Sequence, residues 1–341
     1  MTAKPRDTAA AILDQAKAAG LSIDDLVNAS REAAPAPTVS ELRPKVEASV
    51  DAGARTTYKT YWNDLEAAFG DTPLNQVSTT DLKVVANSVK ARAKGKRADN
   101  AGRSAEEHFI SAAKCFFGAA VEDGVISHSP AASLKKPRRG KGRRRPLTEA
   151  ELRQVVEAAP VSSDDPQLDQ LIVRFHLETG ARRAGALYLK VQDLDFERQT
   201  VWLHEKYDQE REQPVTLGLL EALLEHAKSR GDLKKDSPVF YYRRQKDGKA
   251  HPLTHRRYNT VFPRLQKQVR FASNTQLDSH TLRTTAIALV ERVSSHEVAR
   301  TFAGHAETNV TSHYAKASIE EVAAAVSYLT GEAHPLAAKA D

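Results

Sequence analysis

The eleven residues Lys135–Arg145, "KKPRRGKGRRR", constrain the fold of this chain more than any other stretch. They hold eight basic side chains and no acidic one; Pro137 lies within them, and Pro130 and Pro146 flank them. A run of like charges interrupted by prolines stays solvated and extended, so it reads as a linker between separately folded parts. At 341 residues the chain has the length for about two domains. The run also carries the whole charge surplus. Without those eight, the 50 lysines and arginines fall to 42 against 44 acids, turning a net +6 into −2. So concentrated a cluster is either a polyanion footprint, since neutralised phosphates release condensed counterions, or a plain solvated linker or localisation signal.

Before the linker the pattern is helical. In residues 8–29, Gly20 ends one short helix and Ser22 caps another. The spacing of Ala16, Gly20, Leu21 and Ser22 faintly suggests a helix-turn-helix, but Asp24 and Asp25 would repel phosphates, which favours a docking or oligomer-contact element. "REAAPAPT" is a linker. Residues 38–127 then carry helical stripes, including Tyr58, Trp62 and Leu65, a Thr80-capped segment with Leu82, Val85 and Val89, and Phe109, Ala112, Phe116 and Ala119.

After the linker, Thr148 and Glu151 form a capping box. Two alternating bursts, Thr200–His204 and Gln213–Leu217, flank a polar turn and predict a β-hairpin in an otherwise helical domain. The fold class is therefore mostly α with a small antiparallel β-sheet. The expected layout is an N-terminal extension (1–37), a helical domain (38–130), the basic linker (131–146), a mixed α+β domain (147–317), and a C-terminal helix and tail (318–341).

Cys115 is the only cysteine, which excludes an internal disulfide and a cysteine-based metal cluster. Apolar runs such as Ala286–Val290 are too short to span a bilayer, and the N-terminus lacks a signal-peptide pattern. A cytoplasmic, nucleoid-associated protein with no membrane contact is expected.

Several polar residues ask for a common purpose. "ETGARR" projects Arg182 past a helix stop at Gly180. Lys206 closes a strand of the hairpin. His280 and Arg283 sit three apart on a helix capped by Ser279, away from its core stripe of Leu282, Ala286, Leu289 and Val293. In "AGHAETNVTSHY", nine residues separate His305 from Tyr314, so on one straight helix they would point apart; to act together the chain must turn, at residues 307–309. Each feature alone also has a bland reading as a capping, edge or surface residue.

The ordered set T-G-x-R, hairpin lysine, H-x-x-R, G-H and tyrosine nine residues later resembles the tyrosine recombinase (phage integrase) family over nearly the whole chain beyond residue 38. The resemblance implies a helical core-binding domain joined to a catalytic domain. It implies that Tyr314 attacks a DNA phosphodiester to form a 3′-phosphotyrosine and release a 5′-hydroxyl. Arg182 and Arg283 would hold the charge on the non-bridging oxygens with His305 as a third donor, because guanidinium groups stay protonated and offer planar forks of donors. Lys206 would protonate the leaving oxygen and His280 accept the tyrosine proton. No cofactor and no metal is implied, and no P-loop or H-E-x-x-H motif is present.

The implied partners are a double-stranded DNA recombination site, further copies of the chain in a tetramer joined through the C-terminal helix, and an accessory DNA-bending factor. The two domains would clamp the duplex. Lys135, Lys136, Arg138, Arg139, Lys141, Arg143, Arg144 and Arg145 are the expected backbone contacts, and Lys83, Lys90, Arg256 and Arg257 are candidate base readers. One position departs from the family pattern. Gly185 stands where an acid usually follows the first arginine by three residues, and Glu178 is the stand-in the sequence offers. The competing readings are a type IB topoisomerase-like enzyme, a decayed DNA-binding regulator of the same fold, and an RNA-binding helical protein.

Overall fold

The computed structural model describes residues 14–22, 25, 36–94, 102–138, 145–161, 163–205, 210–231, 233–243, 247–271, 275–304 and 317–337. The chain divides into two compact units, Met1–Lys141 and Gly142–Asp341.

The first unit packs α1 (Val39–Ser49), α2 (Ala52–Phe69), α3 (Thr79–Lys94) and α4 (Arg103–Glu122). Thr38 and Glu41 close a capping box on α1, and Asp51 caps α2. The cap of α3 is Ser78, whose Oγ accepts from the Asp81 backbone N–H at 3.2 Å, and not Thr80. The stripes converge on one apolar core, in which Trp62, Leu65, Phe109, Phe116 and Phe117 are wholly enclosed. The Trp62 indole N–H donates to the Ala112 carbonyl at 3.0 Å, so its one polar atom is satisfied. Before α1, residues 14–18 form a helical turn that ends at Gly20 with φ +73°, and Ser22 receives the Asp25 N–H as a cap would. Most of the second short helix expected there lies outside the described residues.

The second unit begins with α5 (Glu149–Val161), α6 (Pro166–Thr179) and the single turn α7 (Arg183–Leu187). A three-stranded antiparallel sheet follows, in the order β1 (Leu194–Asp195), β2 (Thr200–His204), β3 (Glu210–Pro214). Then come α8 (Leu217–Arg230), α9 (His255–Gln268), α10 (Ser279–Val293), α11 (His296–Ala303) and α12 (Ile319–Thr330). The mostly helical class with a small sheet agrees with the sequence. The Thr148–Glu151 capping box is formed from both sides, and the Leu147 N–H donates to Thr285 Oγ1 on α10 at 2.9 Å. The basic run thus leaves the first core at buried Leu134 and meets the second at buried Leu147.

Two boundaries differ from expectation. The second hairpin strand lies three residues earlier, pairing Thr200 with Pro214 and His204 with Glu210. The pairing runs one residue further, with the Val215 N–H donating to the Gln199 carbonyl at 2.9 Å, and Thr216 then receives the Leu219 N–H to start α8 at Leu217, so residues 216–217 serve the helix instead. On α10 the cap is Asp278, which accepts from Thr281 at 2.8 Å, rather than Ser279. The C-terminal α12 rests on its own domain. Val322, Ala325 and Val326 pack with Ala286 and Val290 of α10 and Phe302 of α11.

Candidate active site

The site is built around two helix C-termini. Helix α6 ends at Gly180 (φ +57°) and α11 at Gly304 (φ +61°), both in the left-handed conformation that glycine adopts without strain. A Cβ on Gly180 would lie 2.5 Å from the buried Phe302 ring, so glycine also permits the two ends to approach. Each end exposes carbonyls that no further turn satisfies.

Two guanidinium groups take up those carbonyls. Arg283 of α10 donates from one Nη to Gly180 and from the other to Ala303, the latter at 2.5 Å. Arg211 of β3 donates to Phe302 at 2.6 Å and to Thr179 at 3.1 Å. Arg283 therefore does not lie on an exposed first turn, as its spacing from His280 suggested. It is 2 % exposed, because the groups that satisfy it come from elsewhere in the chain. His280 is exposed on α10.

Between the arginines sits a carboxylate that the sequence motifs did not single out. The Glu205 side chain is 1 % exposed. Its Oε1 accepts the Arg182 backbone N–H at 2.6 Å, its Oε2 accepts from the Arg182 guanidinium, and Arg283 lies 3.9 Å from Oε1. The signal for it was present in strand parity. Val201 and Leu203 point inward and Glu205 continues their face, while Trp202 and His204 alternate outward. Burial pulls Arg211 down to about 9 and Arg283 to about 10, each further lowered by a neighbouring guanidinium and raised by Glu205. Both remain cationic at neutral pH.

The elbow that carries Arg182 is braced from below. Thr179 Oγ1 donates to Phe175 and accepts the Ala181 N–H at 3.1 Å. His176 is fully enclosed, with Nδ1 2.9 Å from the Ala181 carbonyl and Nε2 2.9 Å from the Tyr258 hydroxyl. Burial lowers its pKa to about 4, so it is neutral. Its Nδ1 carries the hydrogen that the carbonyl needs, and Nε2 accepts from Tyr258.

Of the six residues expected to act together, Arg182 and Arg283 meet at Glu205, and His280 lies three residues before Arg283 on α10. Lys206, His305 and Tyr314 lie outside the described residues. Among the phosphate-contact candidates Lys135, Lys136, Arg138 and Arg145 are exposed, whereas Arg139, Lys141, Arg143 and Arg144 lie outside the described residues. Arg145 forms a two-pronged pair with Glu151 at 2.6 Å. Arg257 is no base reader. It is buried, bound to Asp169 at 2.7 Å and to Asp164 at 2.9 Å. Lys90 pairs with Glu106 at 2.7 Å. Glu178 is not the missing acid either, since it binds Arg174 at 2.6 Å and the Thr216 hydroxyl at 2.7 Å. Among the described residues no acidic or histidine cluster is arranged to hold a metal ion, and no helix is long and apolar enough to cross a membrane.

Three guanidinium groups, those of Arg182, Arg211 and Arg283, thus lie at two helix ends about one buried carboxylate in a mixed helical domain. The chain belongs to the phage integrase family, whose model matches residues 145–321, and is a tyrosine recombinase. It is 27 % identical over 224 residues to the tyrosine recombinase XerC of Bacillus pumilus, covering 62 % of this chain and 71 % of that one. It is 24 % identical to XerD of Listeria monocytogenes over 78 % of this chain and 90 % of that one. Its fold is similar to that of a lambda integrase tetramer bound to a Holliday junction (TM-score 0.60, 18 % identity, 93 % of this chain and 92 % of that one). It is similar too to the Tn1549 transposon integrase in complex with circular intermediate DNA (TM-score 0.59, 21 % identity, 84 % and 97 %).

Proposed function

We propose that this recombinase cuts and rejoins duplex DNA at specific sites with Tyr314 as its nucleophile. The tyrosine oxygen forms a bond to phosphorus as the bond to the 5′ oxygen breaks. Lys206 supplies the proton that oxygen needs, and His280 receives the tyrosine's proton. A 5′-hydroxyl from the partner duplex then reverses the step on the phosphotyrosine. Arg182, Arg283 and His305 hold the non-bridging oxygens as charge grows on them. The observation that carries this reading is the meeting of Arg182 and Arg283 on one buried carboxylate, although 101 residues of sequence separate them. Arg182, with its side chain 34 % exposed, is the one an incoming phosphate meets first.

The related lambda integrase forms a tetramer on a junction. The same assembly is proposed here, with contacts through α12, whose Tyr328 is 76 % exposed. Tyr328→Glu is then expected to reduce higher-order DNA complexes while retaining strand cleavage. A DNA-bending accessory factor belongs to the same reading, and addition of cell extract should raise integration of a plasmid-borne site.

The decisive experiment incubates the full chain with fragmented genomic DNA, denatures it, and recovers DNA covalently attached to protein. Wild type is expected to yield adducts sharing a sequence, and Tyr314→Phe none. Tight binding without any adduct from wild type would make the protein a regulator. Relaxation of plasmid by the monomer without sequence preference would make it a topoisomerase. Replacing Arg143, Arg144 and Arg145 with alanine should flatten the salt dependence of binding, the slope falling by about 0.9 for each phosphate no longer neutralised.

A further inference from the structure

Gly185 leaves the family's usual acidic position without a side chain, and Glu205 occupies the space that a side chain there would fill. A Cβ built on Gly185 lies 3.6 Å from Glu205 Oε1, a gap that a glutamate side chain covers from its own Cβ to its carboxylate. Gly185 is buried and its φ is not in the left-handed region, so glycine there is not required by the backbone. The contact at 3.2 Å to the Ala181 Cβ is the one tight spot.

We propose that Glu205 is the positioning residue for the two catalytic arginines, its carboxylate entering from the β2 end of the hairpin in place of one from helix α7. The proposal rests on the recombinase reading above. Glu205 fixes Arg182 twice, at the backbone N–H and at the guanidinium, and lies against Arg283. One carboxylate thereby sets both the elbow after Gly180 and the direction of its side chain. Nothing else among the described residues near the arginines competes for the role. Glu178 is committed to Arg174 and Thr216, and Arg211 is itself cationic with its Nε enclosed and unpaired. Because Glu205 directly precedes Lys206 in the chain, the same anchor that aims the arginines also fixes where the lysine's segment starts. In an enzyme with its acid on α7, those two tasks fall to different elements.

The test uses the full chain and a nicked suicide substrate made from the DNA recovered on the wild-type adduct. Glu205→Gln removes the charge and replaces one of the two accepting oxygens by an N–H₂ that cannot accept from Arg182, so single-turnover cleavage is expected to fall roughly 10- to 100-fold. DNA binding should stay within about twofold, since only the contacts at one phosphate are disturbed and the other backbone contacts are untouched. Glu205→Asp keeps the charge but not the reach, and an intermediate rate is expected. The discriminating variant is Glu205→Gly combined with Gly185→Glu, which returns the carboxylate from α7 and should recover most of the lost rate, as a merely structural strut would not. A wild-type rate in Glu205→Gln overturns the proposal. So does a parallel loss of binding, thermal stability and cleavage that the double variant leaves unrepaired. A wild type that forms no adduct would sink the recombinase reading and this proposal together.

Discussion

The two units of this chain are stabilised in different ways. The first buries a continuous apolar core, and its ion pairs, such as Arg43–Glu47 and Arg92–Asp64, stay outside that core. In the second, apolar packing is interrupted by buried charge. Every enclosed polar or charged side chain among the described residues, from Asp165 through Glu205 and Arg283 to His334, lies there. A surface ion pair contributes little and can drift, whereas a buried one costs desolvation and is held by several partners at once. The contrast teaches where geometry matters. The first unit is held by apolar shape, while the second fixes particular cations at particular places through several buried partners each.

That comparison can be broken or sharpened by experiment. The largest effects should come from one core residue in each unit. Phe116→Ala should destabilise the first unit by about 3–5 kcal/mol through lost burial and an unfilled cavity. Asp169→Asn should cost the second about 3 kcal/mol or more, by leaving Arg257 and Arg264 without their buried carboxylate. Calorimetry of the full chain should show each variant lowering a different transition. If both lowered the same one, the units would not be energetically separate.

Acid should discriminate next. His176 and His226 are each held down to about 4, chiefly by burial, below the usual 6.5. A histidine kept neutral in the fold takes up its proton only on unfolding. The stability it contributes is therefore whole above pH 6.5 and drains as pH falls toward 4. For His176 the full loss is about 3 kcal/mol, at 1.36 kcal/mol per pH unit. The melting temperature of the second unit should fall steadily over that range, and a flat profile would refute the buried neutral histidines. The smallest effect belongs to the surface of the first unit. Arg92→Ala, which removes the pair with Asp64, should change stability by less than about 1 kcal/mol and by still less in high salt.

Much of the fold was legible because it is written locally. The Thr148–Glu151 box, the Gly180 stop, the alternation at Thr200–His204 and the helical stripes of the first unit each depend on neighbours within a turn or two. The hairpin's second strand was misplaced because the alternation runs on past Pro214, whereas Thr216 caps the next helix and takes the chain out of the sheet. Arg283 was misjudged as a surface residue because its partners, Gly180 and Ala303, stand 103 and 20 residues away. Glu178 looked like the absent acid by sequence distance, yet it faces Arg174 and Thr216. Glu205 was readable in principle from the parity of Val201 and Leu203, but an acid on an inward strand face becomes intelligible only when two arginines are found opposite it.

By itself, then, the sequence determined the helical stripes of the first unit, the hairpin's first strand, the mostly helical class and the family, because periodicity, caps and motif order are properties of short chain segments. The tertiary structure alone decided which carboxylate braces the arginines and which arginines are enclosed. Those outcomes depend on satisfying buried charges and helix-end carbonyls, and the groups that satisfy them are brought together only by folding.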